Sequence, residues 1–265
     1  NLGEVFVTPG ENPALPLMEK VRARRQQNAT TYTGDIASST ALYVSDIQSK
    51  HLQRALWKNL QSGMIQQDST YFLPLYWRKQ YADSVQEAAT LLTETDYQIL
   101  LAQLPHSFNF YENNLSIFSA NMLSPLAAAG NTYYRYFLID STQVEGEKHY
   151  LIHFKTKNPF YSTFNGEMTI DSTTCALRHI RVTVPAQNSV NFLRQLTIEQ
   201  HFAHSNAIKE ESMNILMDFA IKADSTRLFP TLLLTRHTHM IQADEQYQTS
   251  TTHQLSATDS LILPA

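Results

Sequence analysis

Cysteine is nearly absent: Cys175 stands alone, which excludes an internal disulfide framework and any zinc site built on several thiolates. Glycine is scarce too, with 7 residues in 265, too few for glycine-rich phosphate loops or glycine-punctuated repeats. Charged residues make up only 17%, the net charge is −4 and the pI is near 6.2. Nucleic-acid binding needs clustered Lys and Arg, so no nucleic-acid partner is expected. No run approaches the roughly eighteen apolar residues of a membrane helix. No basic-then-apolar leader opens the chain at Asn1-Leu2-Gly3. The opening inside an apparent strand at 4–8 suggests a piece of something longer. Residues 1–12 are then strand and linker following another domain, and 13–265 form a single domain.

What is abundant is apolar and aromatic side chains, 43% and 11% of the chain, the composition of a protein with a substantial core. From 131 to 202 they fall into a regular pattern. The runs 132–140, 148–155, 164–170, 177–184 and 192–202 alternate in polarity with period two. Most are punctuated by Glu145-Gly146, Asn158-Pro159, Asp171-Ser172 or Pro185. Links this short cannot make parallel crossovers, so the pattern predicts an antiparallel meander with one apolar and one wet face. In the last of these runs Phe192, Leu196, Ile198 and Phe202 are expected to face the core, with Gln195, Thr197, Glu199 and His201 facing solvent.

The first half reads as a mixture. Asn12-Pro13 reads as an N-cap with proline at the first helical position, opening a helix to about 28. Leu17, Met18 and Val21 form its apolar stripe, and Lys20, Arg22, Arg24 and Arg25 a cationic face read as solvated. Strands are expected at 2–7, 32–44 and 70–81, where Pro74 demands an edge or a bulge. Helices are expected at 47–60 (Ile47, Leu52, Leu56, Leu60), at 91–104 after the capping pair Thr93/Asp96, and at 108–126, ended by Pro125. Further strands follow at 213–221, 231–241 and 247–255. Helices gathered before a meander are not crossover units, so the class is α+β. The expected fold is a large curved antiparallel sheet of about eleven strands, a half-barrel with the early helices in or across its hollow.

Several residue groups resemble reaction centres without completing one. His237 and His239 form an HxH pair, and Glu199 with His201 an ExH pair. A simple meander puts the strand 213–221 between them, so two spacings of about 4.8 Å forbid a shared ion. His149 and His153 share a strand face about 13 Å apart, too far to chelate. There is no GxSxG elbow, and Cys175 follows Ser172-Thr173-Thr174 in a turn-like stretch at a strand start, where a free cysteine reads as a small hydrophobe. The acidic groups Glu87/Glu94/Asp96, Glu210/Glu211 and Asp244/Glu245 read as solvated charges in linkers or on helix faces. No catalytic residue, metal ligand or cofactor is assigned, and an enzyme is not expected.

Binding is the class that remains. Phe108, Phe110, Tyr111 and Phe118, together with Tyr134, Tyr136, Tyr150, Ile152 and Phe154, are the candidate lining of an apolar pocket for an acyl chain or apolar peptide. The alternative is a scaffold that docks a partner protein through a sheet edge. A filled core and a sticky edge or surface patch would mark it.

Blocks spread along the chain carry a resemblance. They are 4–14 with its Thr8-Pro9-Gly10, Tyr71-Phe72-Leu73-Pro74-Leu75, Asn113-Asn114-Leu115-Ser116-Ile117-Phe118, Ser124-Pro125-Leu126 and Tyr133-Tyr134-Arg135-Tyr136 running to Asp140. The longest are Phe164-Asn165-Gly166-Glu167-Met168 running to Asp171, and 191–202. Together they resemble the middle domain of an uncharacterised Bacteroidetes envelope family. In that family a small carboxypeptidase-regulatory-like β-sandwich precedes this domain and membrane-associated β structure follows it. The fold expected is also similar to that of periplasmic lipoprotein carriers of the localisation-factor type. The resemblance implies a periplasmic, outer-membrane-associated module whose partner is a hydrophobic ligand or an envelope protein. It implies no activity and no oligomeric state.

Overall fold

The computed structural model describes residues 12–29, 34–45, 52–66, 69–79, 108–117, 120–144, 146–184, 193–204, 207–218 and 231–241, with the backbone path alone for 34–79. Ten strands form one antiparallel sheet, and two more form a separate hairpin. In chain order the helices are α1 (Ala14–Ala23), α2 (Arg25–Asn28) and α3 (Gly130–Tyr133). The strands are β1 (Gly34–Ser45), β2 (Leu52–Gln66), β3 (Ser69–Lys79), β4 (Asn114–Ile117), β5 (Ala120–Leu123), β6 (Tyr134–Val144), β7 (Glu147–Thr156), β8 (Asn165–Asp171), β9 (Leu177–Thr183), β10 (Leu193–His204), β11 (Ala207–Asp218) and β12 (Thr231–Ile241). The spatial order is β3-β2-β1-β12-β11-β10-β9-β8-β7-β6, with β4-β5 apart.

The expected meander is therefore present from β6 to β12, and β1 joins it by pairing with β12, Asp35 opposite Ile241. Among the described residues the sheet is open, ending on β3 and β6. Pro74 satisfies both of its expected options: it lies on edge strand β3, opposite Gln61 beside a register shift. Further bulges break the pairing of β6 with β7 after Leu138, of β8 with β9 after Thr169, and of β10 with β11 after His201. Each places an extra residue on one strand and sharpens the local twist.

The core lies on one face of the meander. Tyr136, Ile152, Phe154, Met168, Ile180, Val182, Leu196, Ile198, Met213 and Ile215 are all fully buried there. In β10 the expected alternation holds for Leu196, Ile198 and Phe202, which are buried, against Gln195 and His201, which are exposed. Thr197 and Glu199 are half-buried on the outer face, and the side chain of Phe192 lies outside the described residues.

Helix α1 crosses this core face. Ala14, Met18 and Val21 are its buried stripe, with Leu17 packed beside them. Asn12 fixes its start twice over: Oδ1 accepts the Ala14 amide at 3.0 Å, and Nδ2 donates to the Tyr136 carbonyl at 2.7 Å. The first bond satisfies an orphan donor of the helix N-terminus, and the second ties that terminus to β6. At the far end Asn28 Nδ2 donates to Thr174 O in the β8–β9 turn at 3.2 Å.

Two helix expectations are overturned. Residues 47–60 were read as helical, but 52–66 are strand β2. Leucines spaced by four satisfy a helical face and a strand face equally, and pairing on both sides, with β1 and β3, selects the strand. Residues 108–126 are not one helix either. Leu115 and Ile117 on β4 and Met122 on β5 are buried and alternate with exposed neighbours, forming a four-residue by four-residue hairpin. The expected elements at 2–7, 91–104 and 247–255 lie outside the described residues.

Candidate functional site

Seven of the nine aromatic and apolar pocket candidates meet in one buried cluster: Phe108, Phe110, Tyr111, Tyr134, Tyr136, Ile152 and Phe154. Tyr150 is half-buried beside Lys148, whose Nζ sits 5.1 Å from its ring centroid, and the side chain of Phe118 is outside the described residues. The hydroxyls in the cluster are all committed. Tyr134 Oη donates to Leu123 O at 2.5 Å and accepts the Phe164 amide at 3.1 Å. Tyr136 Oη donates to Pro125 O at 2.7 Å, and Tyr111 Oη accepts the Leu177 amide at 2.7 Å. Burial pushes the Tyr111 and Tyr136 phenols up to about 12, the nearby Arg22 cation pulling Tyr136 back in part. Burial raises Tyr134 further still. All three phenols stay neutral, and through the bonds that Tyr134 and Tyr136 donate and Tyr111 accepts they bind the β4–β5 hairpin and its flanks to the sheet. Edge-on ring contacts, Tyr134–Phe154 at 5.8 Å and Phe110–Phe164 at 6.4 Å, complete the packing.

Of the four cations expected on a solvated face, Lys20 and Arg24 are exposed, while Arg22 and Arg25 are half-buried, and three of the four reach across to this assembly. Arg22 Nε donates to Ala127 O at 3.1 Å with its guanidinium 5.3 Å from the Tyr136 ring centroid. Arg25 Nη1 donates to Asn113 Oδ1 at 2.7 Å, and Arg24 Nη1 donates to Thr173 O. The β8–β9 turn that Arg24 and Asn28 grip is organised by Asp171. Its Oδ1 accepts the amides of Thr173 and Thr174 and the Thr174 hydroxyl, at 2.9, 2.6 and 2.8 Å. Its Oδ2 lies 3.3 Å from Arg178 Nη2 and 3.6 Å from His149 Nε2. Burial alone would raise the Asp171 pKa; these donors reverse that and hold it well below the usual carboxylate range. Cys175 closes the turn, buried and at φ 57.

The acidic reading of Glu210/Glu211 is half corrected. Glu210 is exposed, but Glu211 is fully buried on β11, in the core row with Met213 and Ile215. Its Oε1 accepts from Arg236 Nη2 on β12 and its Oε2 from Gln200 Nε2 on β10, both at 2.8 Å. Lys209-Glu210-Glu211-Ser212 has the composition of a loop; the alternation of β11 back from Ile215 and Met213 puts Glu211 on the core face, directly opposite Gln200. The signal present in the sequence was Gln200, which holds a core position in the period-two pattern of β10. Glu87, Glu94, Asp96, Asp244 and Glu245 lie outside the described residues.

On the outer face the histidines pair with carboxylates strand by strand. His153 Nε2 is 3.1 Å from Glu167 Oε2, and His179 Nε2 is 2.9 Å from Glu199 Oε1. His149 and His153 thus serve different carboxylates and do not meet. As expected, β11 separates Glu199/His201 from His237/His239. The neighbour on the other side was missed: His179 on β9 stands directly opposite His201, ring centroids 4.4 Å apart.

Large apolar side chains that reach solvent concentrate at one margin. Phe137 (43% exposed), Ile139 (52%) and Val144 (48%) are on edge strand β6, and Phe160 (76%) and Tyr161 (39%) lie in the loop after β7. That loop abuts the start of β6, with Lys157 N donating to Tyr133 O at 2.8 Å and Tyr133 and Tyr161 ring centroids 5.2 Å apart.

These features define an α+β protein built on one open, ten-stranded antiparallel sheet with a helix and a β-hairpin over its core face. The chain belongs to the family described as a family of unknown function, DUF5686, which it matches over residues 26–228. No curated protein matches it. Among solved structures it is similar to a LolA-superfamily protein of Nitrosomonas europaea, at 8% identity over 89% of this chain and 97% of the other, TM-score 0.24. It is also similar to a DUF1329-family protein of Desulfovibrio piger, at 12% identity over 91% and 99%, TM-score 0.27. The MucA/MucB complex of Pseudomonas aeruginosa provides a further likeness, at 8% identity over 85% and 93%, TM-score 0.26. Likenesses this distant leave fold and function to rest on the molecule itself.

Proposed function

We propose that this domain is a non-enzymatic interaction module that docks an extended apolar segment of a partner protein along β6. The observation that carries this reading is the placement of exposed apolar side chains on an edge strand. Of six large hydrophobic side chains exposed among the described residues, five belong to β6 or to the loop at its start. An edge strand offers unpaired backbone donors and acceptors, and alternate side chains on it supply specificity for an added strand. Asn12 occupies Tyr136 O, so among the described residues the margin of β6 without a partner begins near Leu138. The aromatic cluster supports the same choice over internal carriage of an acyl chain, because its hydroxyls and rings are engaged with the hairpin cover. The pairing of described imidazoles with carboxylates along the outer sheet face is why no chemistry is assigned.

The proposed setting is the periplasm, in association with the outer membrane, with an envelope protein as partner; it rests on the family resemblance and on the avoidance of cysteine. Recovery of the full-length protein in the cytosolic fraction would contradict it.

The test is site-specific photocrosslinking in the native host. A photoreactive residue at 137 or 139 should give a discrete protein adduct, and one at outer-face position 195 should not. Phe137→Glu with Ile139→Lys should abolish the adduct while changing stability by no more than about 0.5 kcal/mol, as exposed substitutions do. The reading fails if the β6 probes give no protein adduct. It also fails if an environment-sensitive fatty-acid probe binds the domain and loses binding on Phe110→Ala, since internal carriage would then be the function.

A further inference from the structure

The outer face of the sheet carries a second feature, independent of β6. His179 on β9, with Glu199 and His201 on β10, presents three donor atoms within 4.8 Å of one another. We propose that these three residues form a binding site for a single divalent transition-metal ion of the zinc class.

The backbone accounts for the convergence. His179 and His201 are a directly opposed cross-strand pair, so their side chains leave the same face side by side. Glu199 lies two residues before His201 and therefore on that face too. Both Nε2 atoms approach a single carboxylate oxygen: Glu199 Oε1 is 2.9 Å from His179 and 3.6 Å from His201. An ion about 2.1 Å from each donor holds its ligands roughly 3.0 to 3.4 Å apart, in octahedral or tetrahedral array. The two observed separations bracket that span. A hydrogen bond of 2.9 Å between His179 Nε2 and Glu199 Oε1 spans the position now, and a cation there would replace it with three bonds.

Donor chemistry narrows the ion. Two imidazoles and one carboxylate suit zinc, nickel, copper or ferrous iron, whereas calcium and magnesium call for oxygen donors. Three protein donors also leave at least one coordination position for water or for a group from a partner. The site stands on interior strands of the sheet, which fixes two of its three backbone attachments in register. Side-chain exposures of 18%, 33% and 47% for His179, Glu199 and His201 leave an entry path from solvent. The groups facing it are Thr169 opposite His179, Arg181 opposite Glu199 and Glu210 opposite His201.

A comparable trio elsewhere shows what disqualifies such a cluster. Glu147, His149 and Asp171 also converge, but Arg178 Nη2 sits 3.4 Å from Glu147 and 3.3 Å from Asp171. That guanidinium already neutralises the carboxylates and would repel a second cation. At the proposed site no arginine forms an ion pair with Glu199 among the described residues; its near partners are the two imidazoles, and Arg181 on the facing strand acts on it only through its charge. The sequence spacing alone stopped at the pair Glu199/His201, since the third donor comes from the strand before.

The test uses the purified, tag-free chain with Zn2+ in competition with a chromophoric chelator, and with Co2+ as a spectroscopic stand-in. One equivalent of Zn2+ should bind in the micromolar range, and Co2+ should give d–d bands that Zn2+ abolishes and excess Mg2+ or Ca2+ does not. His179→Ala, His201→Ala and Glu199→Gln should each weaken binding about tenfold or more. His153→Ala, which removes a histidine–glutamate pair lacking a third donor, should leave it unchanged. Saturating Zn2+ should raise the melting temperature of the parent chain and not that of the His179→Ala/His201→Ala double variant, since binding to the folded state alone stabilises it. Absence of micromolar binding overturns the proposal. Unchanged affinity in any of the three ligand variants, shown folded by circular dichroism, overturns it as well.

Discussion

Replacing Glu211 tests whether the polar core of the sheet is held as a unit. The carboxylate is completely buried, and the Arg236 side chain facing it is only 6% exposed. Each Glu211 oxygen accepts one bond of 2.8 Å, from Arg236 and from Gln200. Glu211→Leu fills the volume but takes the Glu211 carboxylate away from a guanidinium that stays in the interior. Breaking one side of a buried pair costs about 3–5 kcal/mol. For a chain of this size each kcal/mol moves the melting temperature by about 2–4 °C, so a fall of roughly 6–20 °C is expected. Arg236→Met should cost a similar amount, because it strands the carboxylate. The double variant Glu211→Leu/Arg236→Met should lose less than the sum of the singles, since it removes both charges together, but should stay about 1–3 kcal/mol below the parent because the buried Gln200 Nε2 loses its acceptor. Urea denaturation of all four proteins yields the coupling energy directly. A Glu211→Leu cost below about 1 kcal/mol would refute the reasoning. So would a double variant whose loss equals the sum of the singles.

Two further outcomes follow from the β8–β9 region. Asp171→Asn should cost about 1.5–3 kcal/mol at neutral pH, because Oδ1 loses charge on three hydrogen bonds. A carboxyl whose pKa is lowered on folding contributes stability above its unfolded value of about 3.9 and loses it as pH falls toward the folded value. Denaturation at a series of pH values should therefore show the gap between parent and variant closing below about pH 4; a gap that is constant across the series would contradict the assignment. Gly166→Ala should cost about 1–3 kcal/mol or more. A Cβ there would lie 2.0 Å from the Arg181 carbonyl oxygen and 3.0 Å from Phe154 Cζ, so β8 and β9 must separate to admit it. Thermal melts read the effect, and an unchanged midpoint would show that the strands part freely.

Much of this protein was determined along the chain alone. Period-two alternation with short links located β6 through β10 and the strand at 231–241, and it assigned Leu196, Ile198 and Phe202 to the core. Asn12-Pro13 marked the start of α1, because a cap and a pre-set φ act within one turn of backbone. Where two periods coincide, local pattern does not decide. Leucines four apart at 52, 56 and 60 fit a helix and a strand alike, and pairing with β1 and β3 made the choice. The groups of greatest chemical interest were settled only in three dimensions. Strand pairing brought Glu211 between Gln200 and Arg236. The meander set His179 against His201, twenty-two positions away, and the order of the whole sheet left β6 with its apolar side chains at an edge. Alternation fixes which face a residue takes, but register, bulges and strand order fix which residues share it, and these depend on pairing energies summed over the entire sheet.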